Sequence, residues 1–320
     1  MYKYIIRRIL IFIPMLFALT IIVFALLKAA PGDPFSQILD PDIEAGVLDE
    51  QRAAAGFNDP IHVQYINWLT SAVKGDFGDS FRYKGREVTE VIMDRIPNTV
   101  YLGLFSLLIT IIVAIPIGIY SARHPYSLFD YAATGFGFFG LAVPNFFFGL
   151  VIIYLFAIQL GWFPSQGSIS STSLTGMELF TDRIHHLILP GLTLGLASTA
   201  SYMRYMRSEV LNVLSSDYIR TARAKGMSER NILYKHTLRN AMIPIITLFG
   251  FEIGSLLAGA IITEGVFNYP GLGTLFLSSI GNRDYPVIMA IAFLLGLFIL
   301  VGNLIADILY SIVDPRIRYD

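Results

Sequence analysis

Long apolar segments alternate with shorter polar ones along almost the whole chain. Six segments are apolar over about the 20 residues that a helix needs to cross the hydrocarbon core of a bilayer. They are Ile9–Leu27, Val100–Tyr120, Gly135–Leu160, Leu187–Met203, Ala241–Ile262 and Val287–Leu309. The pattern predicts an all-α integral membrane protein with six transmembrane helices. Pro144 and Asn145 interrupt the third segment, so this span is expected to kink or split.

The first apolar segment follows Lys3, Arg7 and Arg8 and is therefore similar to the start of a signal peptide. Its 19 residues exceed the apolar region of about 7–15 residues found in signal peptides. Leu26–Ala30 also ends in no small-x-small cleavage site. We therefore expect residues 1–30 to form an N-terminal tail and a retained first span.

Residues 31–97, named here the outer cap, differ in composition from the rest of the chain. These 67 residues carry 12 acidic and 6 basic side chains. Asp59 as N-cap, Pro60 at the first helical position and Gly75 as the stop signal predict one amphipathic helix. Its apolar stripe is Tyr65, Ile66, Leu69, Ala72 and Val73. The stripe and the aromatic residues around it favour a folded cap over a disordered loop.

Basic residues orient the predicted spans with both termini in the cytoplasm. In that orientation the cytoplasmic segments hold 14 Lys and Arg residues, whereas the two short outer loops hold only Arg183 and Arg283. An excess of Lys and Arg in short cytoplasmic loops is general among membrane proteins. The outer cap is too long for this rule and is placed outside by the spans on either side of it.

The composition agrees with a membrane protein and excludes several kinds of site. Of the 320 residues, 54% are hydrophobic and 15% charged, and mean hydropathy is +0.61. Soluble domains carry about 25% charged residues. Cysteine is absent, which excludes disulfides, thiolate metal sites and cysteine nucleophiles. A net charge of −1 argues against nucleic acid as a partner.

The sequence lacks the motifs of most membrane enzymes and motors. No glycine is followed by lysine, so no GxxxxGK[ST] phosphate loop exists, and no HExxH pair occurs. His185 and His186 are adjacent, and adjacent helical residues point about 100° apart, which disfavours a shared metal ion. We therefore predict that the chain is not an enzyme and has no catalytic residue, metal site or cofactor of its own.

Small residues at helical spacing predict close contacts between helices. Gly191-x-x-x-Gly195 lies in the fourth span and Gly250-x-x-x-Gly254 in the fifth. Ser198 and Thr199 follow the first of these motifs. They are interpreted as packing residues rather than as an intramembrane nucleophile.

Two acidic residues stand inside predicted spans. Glu252 lies near the middle of the fifth span, where a charge costs roughly 2.5–3.5 kcal/mol on insertion scales. Either a wet translocation pathway or a structural hydrogen bond explains it, and the sequence leaves both open. Asp307 lies near the end of the sixth span and is expected to be interfacial or paired with an arginine.

The segment Ser216–Arg230, between the fourth and fifth spans, predicts a helix, a turn and a second helix. Asp217 is a candidate N-cap of the first helix, Gly226 a candidate left-handed stop, and Ser228 a candidate cap of the second. Such a knob on the membrane face suits docking into another protein. A basic loop that only orients the chain and contacts anionic lipid explains the same residues.

Several sequence blocks carry a resemblance that separates these alternatives. They are Pro31-Gly32-Asp33-Pro34, Gly75-Asp76-Phe77-Gly78, Asp217-Tyr218-Ile219-Arg220-Thr221-Ala222-Arg223-Ala224-Lys225-Gly226, Leu238-Arg239-Asn240-Ala241, Tyr269-Pro270-Gly271-Leu272-Gly273, Arg283-Asp284-Tyr285-Pro286 and Asp314-Pro315-Arg316-Ile317-Arg318-Tyr319. Nearly end to end, the chain resembles permease subunits of the dipeptide/oligopeptide/nickel group of ABC importers. The blocks resemble most closely the first permease subunit of the oligopeptide type. Arg220 and Thr221 depart from the Glu-Ala of the wider superfamily.

The resemblance implies a division of labour. The chain would form a pathway with a sister permease, residues 98–320 being the core permease domain with spans two to six. Two ATPase subunits, which bind ATP and Mg, would dock on coupling loop 207–240, and an extracytoplasmic binding protein would deliver the ligand. The expected ATPase-coupling residues are Asp217, Tyr218, Arg220, Thr221, Ala222, Arg223, Ala224, Lys225, Gly226, Met227, Ser228 and Glu229.

The location implied is the cell membrane of a prokaryote, with membrane lipid around the chain. The substrate expected is a peptide. Nickel, glutathione or another small solute is the alternative within the same importer class. A proton-coupled secondary transporter acting through Glu252 is a more distant alternative, although the two halves of the sequence show no internal repeat.

Overall fold

The computed structural model describes residues 2–32, 34, 45–54 and 56–313. Asp33 and the closing block 314–319 lie outside the described residues. Within them the chain is a bundle of helices with an isolated β-bridge between Asp79 and Glu87. The helices are α1 (Tyr2–Ala29), α2 (Ala45–Ala54), α3 (Ile61–Ala72), α4 (Val88–Met93), α5 (Ile96–Arg123), α6 (Leu128–Ala142), α7 (Asn145–Ile152), α8 (Gly176–Leu214), α9 (Asp217–Ala224), α10 (Glu229–Asn231), α11 (Leu238–Val266), α12 (Leu272–Gly281) and α13 (Tyr285–Val313). Single π-helical segments, Ile153–Gln159 and Ile232–Thr237, follow α7 and α10.

Three helical stretches of the described chain are long and apolar enough to cross a membrane: Ile6–Ala29, Val88–Arg123 and Tyr285–Ile308. The bent pair α6 and α7 would be a fourth. The predicted fourth and fifth spans lie within α8 and α11, which are not among these stretches. An integral membrane architecture therefore follows from the helices, and the arrangement with six spans stays a prediction.

The break between α6 and α7 confirms the predicted interruption of the third apolar segment. The two helices meet at an angle of 105°. Pro144 is the N-cap of α7, and Val143 before it is extended, with φ −84° and ψ 123°. Proline disfavours helical backbone in the residue that precedes it, so the chain turns at this point.

Helix α8 lies at the centre of the bundle and contacts α5, α6, α7 and α11. A helix covered by other helices can hold Gly, Ser and Thr residues that a lipid-facing helix would replace by larger apolar ones. This explains its lower hydropathy. The buried residues of α8 include Leu189, Thr193, Ala200, Met206 and Val210, from its first half to its last turns.

Close approach of helices explains the small residues that the sequence singled out. A Cβ atom on Gly191 would lie 2.5 Å from Cδ1 of Phe105 on α5. A Cβ atom on Gly250 would lie 2.4 Å from Cα of Ala306 on α13. Real Cβ atoms do not approach so closely. At Gly250 the neighbouring atoms are backbone, so this contact requires glycine, whereas at Gly191 the Phe105 ring would have to move. The predicted tight packing is therefore confirmed at both positions, and the contacts are within this chain.

Helix α1 lies at the edge of the bundle and packs along α13. Near one end of this pair, Nη2 of Arg8 donates to Oδ1 of Asp307 at 3.1 Å. Asp307 is buried, with 8% of its surface exposed. The expectation that Asp307 pairs with an arginine is thereby confirmed.

The outer cap contains the predicted amphipathic helix, but this helix starts one residue later than predicted. Helix α3 begins at Ile61, so Pro60 is its N-cap and Asp59 makes no capping hydrogen bond. The side chain of Gln64 instead donates to the carbonyl of Asp59, at 2.7 Å. Gly75 adopts φ +84° in the turn after the helix, as its predicted role as stop signal requires.

The apolar stripe of α3 is only partly buried. The hydroxyl groups of Tyr65 and Thr20 on α1 are 2.9 Å apart, and the ring of Tyr65 also packs against Phe17 and Phe24. Ile66 and Val73 are 52% and 77% exposed, so these two members of the predicted apolar stripe lie on the surface. They remain on the surface because the face of α3 that contacts α1 is narrower than the apolar stripe.

A buried carboxylate fastens the outer cap to the start of α13. Asp284 accepts hydrogen bonds from Oγ of Ser80 at 2.5 Å and from the backbone N–H groups of Phe81 and Arg82 at 3.2 and 3.3 Å. Val88, at the start of α4, belongs to an apolar cluster with residues of α12 and α13. The cap is therefore packed on the bundle.

Candidate functional site

The chain between α8 and α11 forms a compact helical excursion. Helix α8 continues to Leu214 and α11 begins at Leu238, so residues at both ends of the predicted loop 207–240 belong to long helices. The excursion itself is α9, a turn, α10 and the π-helical segment Ile232–Thr237. It directly joins two helices that run through the centre of the bundle.

The start of α9 differs by one residue from the prediction. Ser216 is the N-cap, and Asp217 is the first helical residue rather than the cap. The Asp217 carboxylate accepts a hydrogen bond from Nη1 of Arg220 at 3.3 Å. An acidic side chain in the first turn still interacts favourably with the helix dipole, so the preference for Asp at this site has a physical basis.

The end of α9 has the predicted left-handed glycine. Gly226 has φ +77°, and its N–H donates to the carbonyl of Arg223 at 2.9 Å. The N–H of Met227 donates to the carbonyl of Ala222 at 3.2 Å, which completes a Schellman motif. Ser228 then caps α10 by accepting from the N–H of Asn231 at 3.4 Å, as predicted.

One face of α9 is packed on its own subunit. Ile219 is fully buried and Ala222 is 8% exposed, in a cluster with Ile232. Met227 and residues Val213 and Leu214 of α8 pack against that cluster. Ala222 therefore points inward and is not free to touch a partner, although it is among the expected interface residues.

The opposite face of α9 is exposed. It presents Tyr218, Thr221, Ala224 and Lys225 to the surroundings. The hydroxyl of Tyr218, 47% exposed, accepts from Nδ2 of Asn240 at 3.2 Å, which links the start of α9 to α11. A short helix whose buried face packs on its own subunit, and whose exposed face is mixed and polar, is suited to binding another protein.

An ion pair holds the two short helices together. Nε and Nη2 of Arg223 donate to Oε1 and Oε2 of Glu229 at 2.8 and 3.2 Å. The Arg223 guanidinium holds the pKa of Glu229 below its usual value. Because the pair spans the Gly226 turn, α9 and α10 are expected to move as one unit.

A second, buried ion pair lies two turns before the excursion. Nε and Nη2 of Arg207 on α8 donate to the two carboxylate oxygens of Asp130 at 2.6 and 2.7 Å. Asp130 also accepts from the N–H of Tyr126 at 2.9 Å and from the hydroxyl of Ser121. This cluster ties α8 to the turn between α5 and α6. Sequence reasoning missed it, having counted Arg207 only as a positive charge.

The carboxylate of Glu252 joins α11 to α8. Oγ of Ser198 donates to Oε1 at 2.5 Å, and the hydroxyl of Tyr202 lies 3.3 Å from Oε2. The Tyr202 hydroxyl also donates to the carbonyl of Leu248 at 2.8 Å, and its ring stacks on Phe249. Glu252 is partly buried, and the polar partners compensate its position in an apolar helix.

The histidine pair is used in local hydrogen bonds. A ring nitrogen of His185 lies 2.7 Å from the carbonyl of Trp162, and Nδ1 of His186 lies 2.9 Å from the carbonyl of Asp182. In the part of the chain that the structure describes, no three His, Asp or Glu side chains are grouped so as to hold a metal ion.

Comparisons with known proteins match the whole length of the chain. Residues 114–319 match the family described as binding-protein-dependent transport system inner membrane component, and residues 1–103 match its N-terminal counterpart. The oligopeptide transport system permease protein AppB of Bacillus subtilis is 50% identical over 319 residues, covering 100% of both chains. The glutathione transport system permease protein GsiC of Escherichia coli K12 is 39% identical over 319 residues, again covering 100% of both.

Proposed function

The chain belongs to the family of binding-protein-dependent transport system inner membrane components, and on this premise we propose that it carries oligopeptides across the bacterial inner membrane. It is a membrane permease of an ABC importer and not an enzyme. Members of this family work with a sister permease, ATPases and a substrate-binding protein. The full-length identity of 50% to an oligopeptide permease supports a peptide over glutathione, although a glutathione permease is also a relative.

The observation that carries this proposal is the short helix α9, anchored inward and free on its outer face. Its exposed residues, together with those of the Gly226 turn, form the surface on which an ATPase subunit docks. ATP and Mg are bound by two such ATPases and not by this chain. Because α9 lies between α8 and α11, a push on α9 reaches both helices and moves the pathway that they border.

In the proposed topology this docking surface lies in the cytoplasm. The positive charges of the predicted cytoplasmic segments support N- and C-termini inside, six spans and an outer cap on the opposite side. The division into tail and first span 1–30, outer cap 31–97 and core permease domain 98–320 follows from the same arrangement. The outer cap then faces the binding protein.

Two alanines of α9 test the docking surface because they differ mainly in exposure. Ala224→Asp puts a carboxylate on the exposed face, whereas Ala222→Asp puts one into the buried cluster. We expect Ala224→Asp to reduce peptide uptake several-fold and to weaken ATPase copurification, with unchanged thermal stability of the permease. Burying an unpaired charge is costly, so Ala222→Asp should instead lower stability and yield.

The assay uses the complete importer in proteoliposomes, with labelled oligopeptide, binding protein and ATP, at equal permease content. Wild-type uptake and copurification by the Ala224→Asp variant would refute docking on this face. Glutathione replaces the peptide in a parallel assay. ATP-dependent uptake of glutathione without uptake of peptides would reassign the substrate and leave the importer mechanism intact.

Thiol labelling tests the orientation of the outer cap. The chain has no cysteine, and Thr70 and Lys74 are both exposed. Cysteines placed singly at these positions are expected to react in intact cells with a membrane-impermeant maleimide. A cysteine at exposed His124, in the predicted cytoplasmic turn after α5 and outside the docking surface, serves as the cytoplasmic control and should react only after the cells are opened. Labelling of the cap only in opened cells, with labelling of the control in intact cells, would show that the chain has the opposite orientation.

A further inference from the structure

The segment that joins the docking surface to α11 is π-helical. It comprises Ile232–Thr237, between α10 and the first residue of α11. At its end the N–H of Leu238 donates to the carbonyl of Leu233, five residues earlier, whereas an α-helix joins residues four apart. Helices of the π type are rare and occur mostly as single turns, frequently at functional sites. The segment is therefore a candidate for a moving part of the coupling loop.

The hydroxyl of Thr237, the last residue of this segment, makes no hydrogen bond. Thr237 is 0% exposed, and its Oγ1 has no hydrogen-bond partner among the described residues. Nε2 of the neighbouring His236 is likewise buried without a partner among them. A buried hydroxyl without a partner destabilises the state in which it occurs. The π-helical arrangement is therefore unfavourable at this residue.

Threonine hydroxyls elsewhere in these helices donate to the carbonyl four residues earlier, at distances between 2.9 and 3.2 Å. They belong to Thr110, Thr181, Thr193, Thr221 and Thr247. This bond is common for a helical threonine. The equivalent acceptor for Thr237 is the carbonyl of Leu233, which instead accepts from the N–H of Leu238 in the π geometry. An α-helical segment would align that carbonyl with Thr237.

The π-helical segment is in direct contact with α9. Nδ2 of Asn240 donates to the carbonyl of His236 at 2.8 Å and to the hydroxyl of Tyr218 on α9 at 3.2 Å. Ile232, the first residue of the segment, belongs to the buried cluster on which α9 packs. A displacement of α9 therefore reaches both ends of the segment.

We propose that Thr237 is a coupling residue, and that movement of α9 on the ATPases converts the segment from π-helix to α-helix. In the converted state Oγ1 of Thr237 donates to the carbonyl of Leu233. This new bond favours the converted state, and the change of hydrogen bonding alters the orientation of α10 relative to α11. The inference rests on the proposed function and adds to it a residue through which α9 acts on α11.

The informative variant is Thr237→Val, because valine keeps the shape of threonine and lacks the hydroxyl. No hydrogen bond is lost in the π-helical state, so thermal stability of the detergent-solubilised importer should equal or exceed that of the wild type. The converted state loses its bond, so peptide uptake should fall about fivefold, the effect of one ordinary hydrogen bond. ATP hydrolysed per peptide should rise. Thr237→Ser keeps the hydroxyl and should restore uptake.

Thr247 provides a matched control on α11. Its hydroxyl already donates to the carbonyl of Ile243 at 3.2 Å. Thr247→Val therefore removes a bond that is present in the π-helical state of the chain. It should lower thermal stability slightly and should not raise the ATP hydrolysed per peptide.

Hydrogen–deuterium exchange measures the conversion itself. The complete importer is compared with and without a non-hydrolysable ATP analogue. We expect exchange at residues 232–241 to slow several-fold with the analogue in the wild type and in Thr237→Ser. In Thr237→Val the analogue should leave exchange at these residues unchanged.

Wild-type uptake by Thr237→Val would overturn the proposal, because the hydroxyl would then have no part in coupling. Reduced stability of this variant would also overturn it, since the hydroxyl would then already be bonded. An equal rise in ATP per peptide in Thr247→Val, or equal slowing of exchange in Thr237→Val and wild type, would do the same. A wild-type importer that takes up no peptide would count against the proposed function, whereas the exchange measurement would still test the conversion.

Discussion

Replacing Arg207 by methionine is expected to destabilise the permease by ~3–5 kcal/mol, because Asp130 is then left buried without its cation. The wild-type pair is bidentate, and 2% of Asp130 is exposed. Methionine preserves much of the volume of the side chain, so the loss reflects charge and hydrogen bonds. Little assembled importer is expected, as measured by size-exclusion yield and by thermal unfolding of the detergent-solubilised chain.

Arg204 provides a matched control three residues earlier on the same helix. It is exposed, and its guanidinium lies 5.1 Å from the centre of the Phe138 ring. Arg204→Met is therefore expected to change stability by less than about 1 kcal/mol. The double variant Asp130→Asn with Arg207→Met removes both charges and should recover part of the loss. Equal stability of the two single methionine variants would contradict a structural role for the pair.

Replacing Glu252 by leucine is expected to reduce uptake about tenfold or more, which requires only ~1.4 kcal/mol of lost coupling. We propose that Glu252 borders the pathway and joins the two helices that flank the docking surface. Leucine removes the acceptor for Ser198 on α8, so this hydrogen bond no longer couples the movement of α8 to that of α11. Uptake is measured in proteoliposomes at equal ATPase content.

Glu252→Gln separates the two roles of the carboxylate. The glutamine oxygen can still accept from Ser198, so most uptake should survive if the hydrogen bond is what matters. A changed preference between peptides with free and with acetylated amino termini would show that the charge contacts substrate. Ser198→Ala should weaken uptake and be non-additive with Glu252→Leu. A Glu252→Leu variant that assembles, transports at the wild-type rate and is more stable would refute both roles.

Sequence patterns predicted local features of this chain better than pairings between distant residues. The break at Pro144, the left-handed Gly226 and the Ser228 cap depend on backbone geometry within a few residues. These are the effects that residue type largely decides. The starts of α3 and α9 were each misplaced by one residue. At the start of α9, Ser216 and Asp217 are both residue types that cap helices, so residue type does not decide between them. At the start of α3, Pro60 takes the N-cap position without a side-chain hydrogen bond.

Contacts between residues far apart in the chain could not be predicted, because spacing along the sequence says nothing about them. Arg207 and Asp130 are 77 residues apart, and Glu252 meets Ser198 across 54. The inward orientation of Ala222, unlike these pairings, could have been predicted from the sequence. Ile219 and Ala222 are three residues apart on an otherwise polar helix, which indicates a buried stripe. The docking motif identifies residues by type, and residue type alone does not say which of them face inward.

The hydrogen bonds between the outer cap and Asp284 can form only late in synthesis of the chain. Ser80 leaves the ribosome 204 residues before Asp284 does. At about 5–20 residues per second, this interval is roughly 10–40 s. During that time the cap has emerged without the carboxylate that holds residues 80–82. Nascent chains are therefore vulnerable to proteases at the cap until the last helix is inserted, and a chain truncated before α13 would keep that vulnerability permanently.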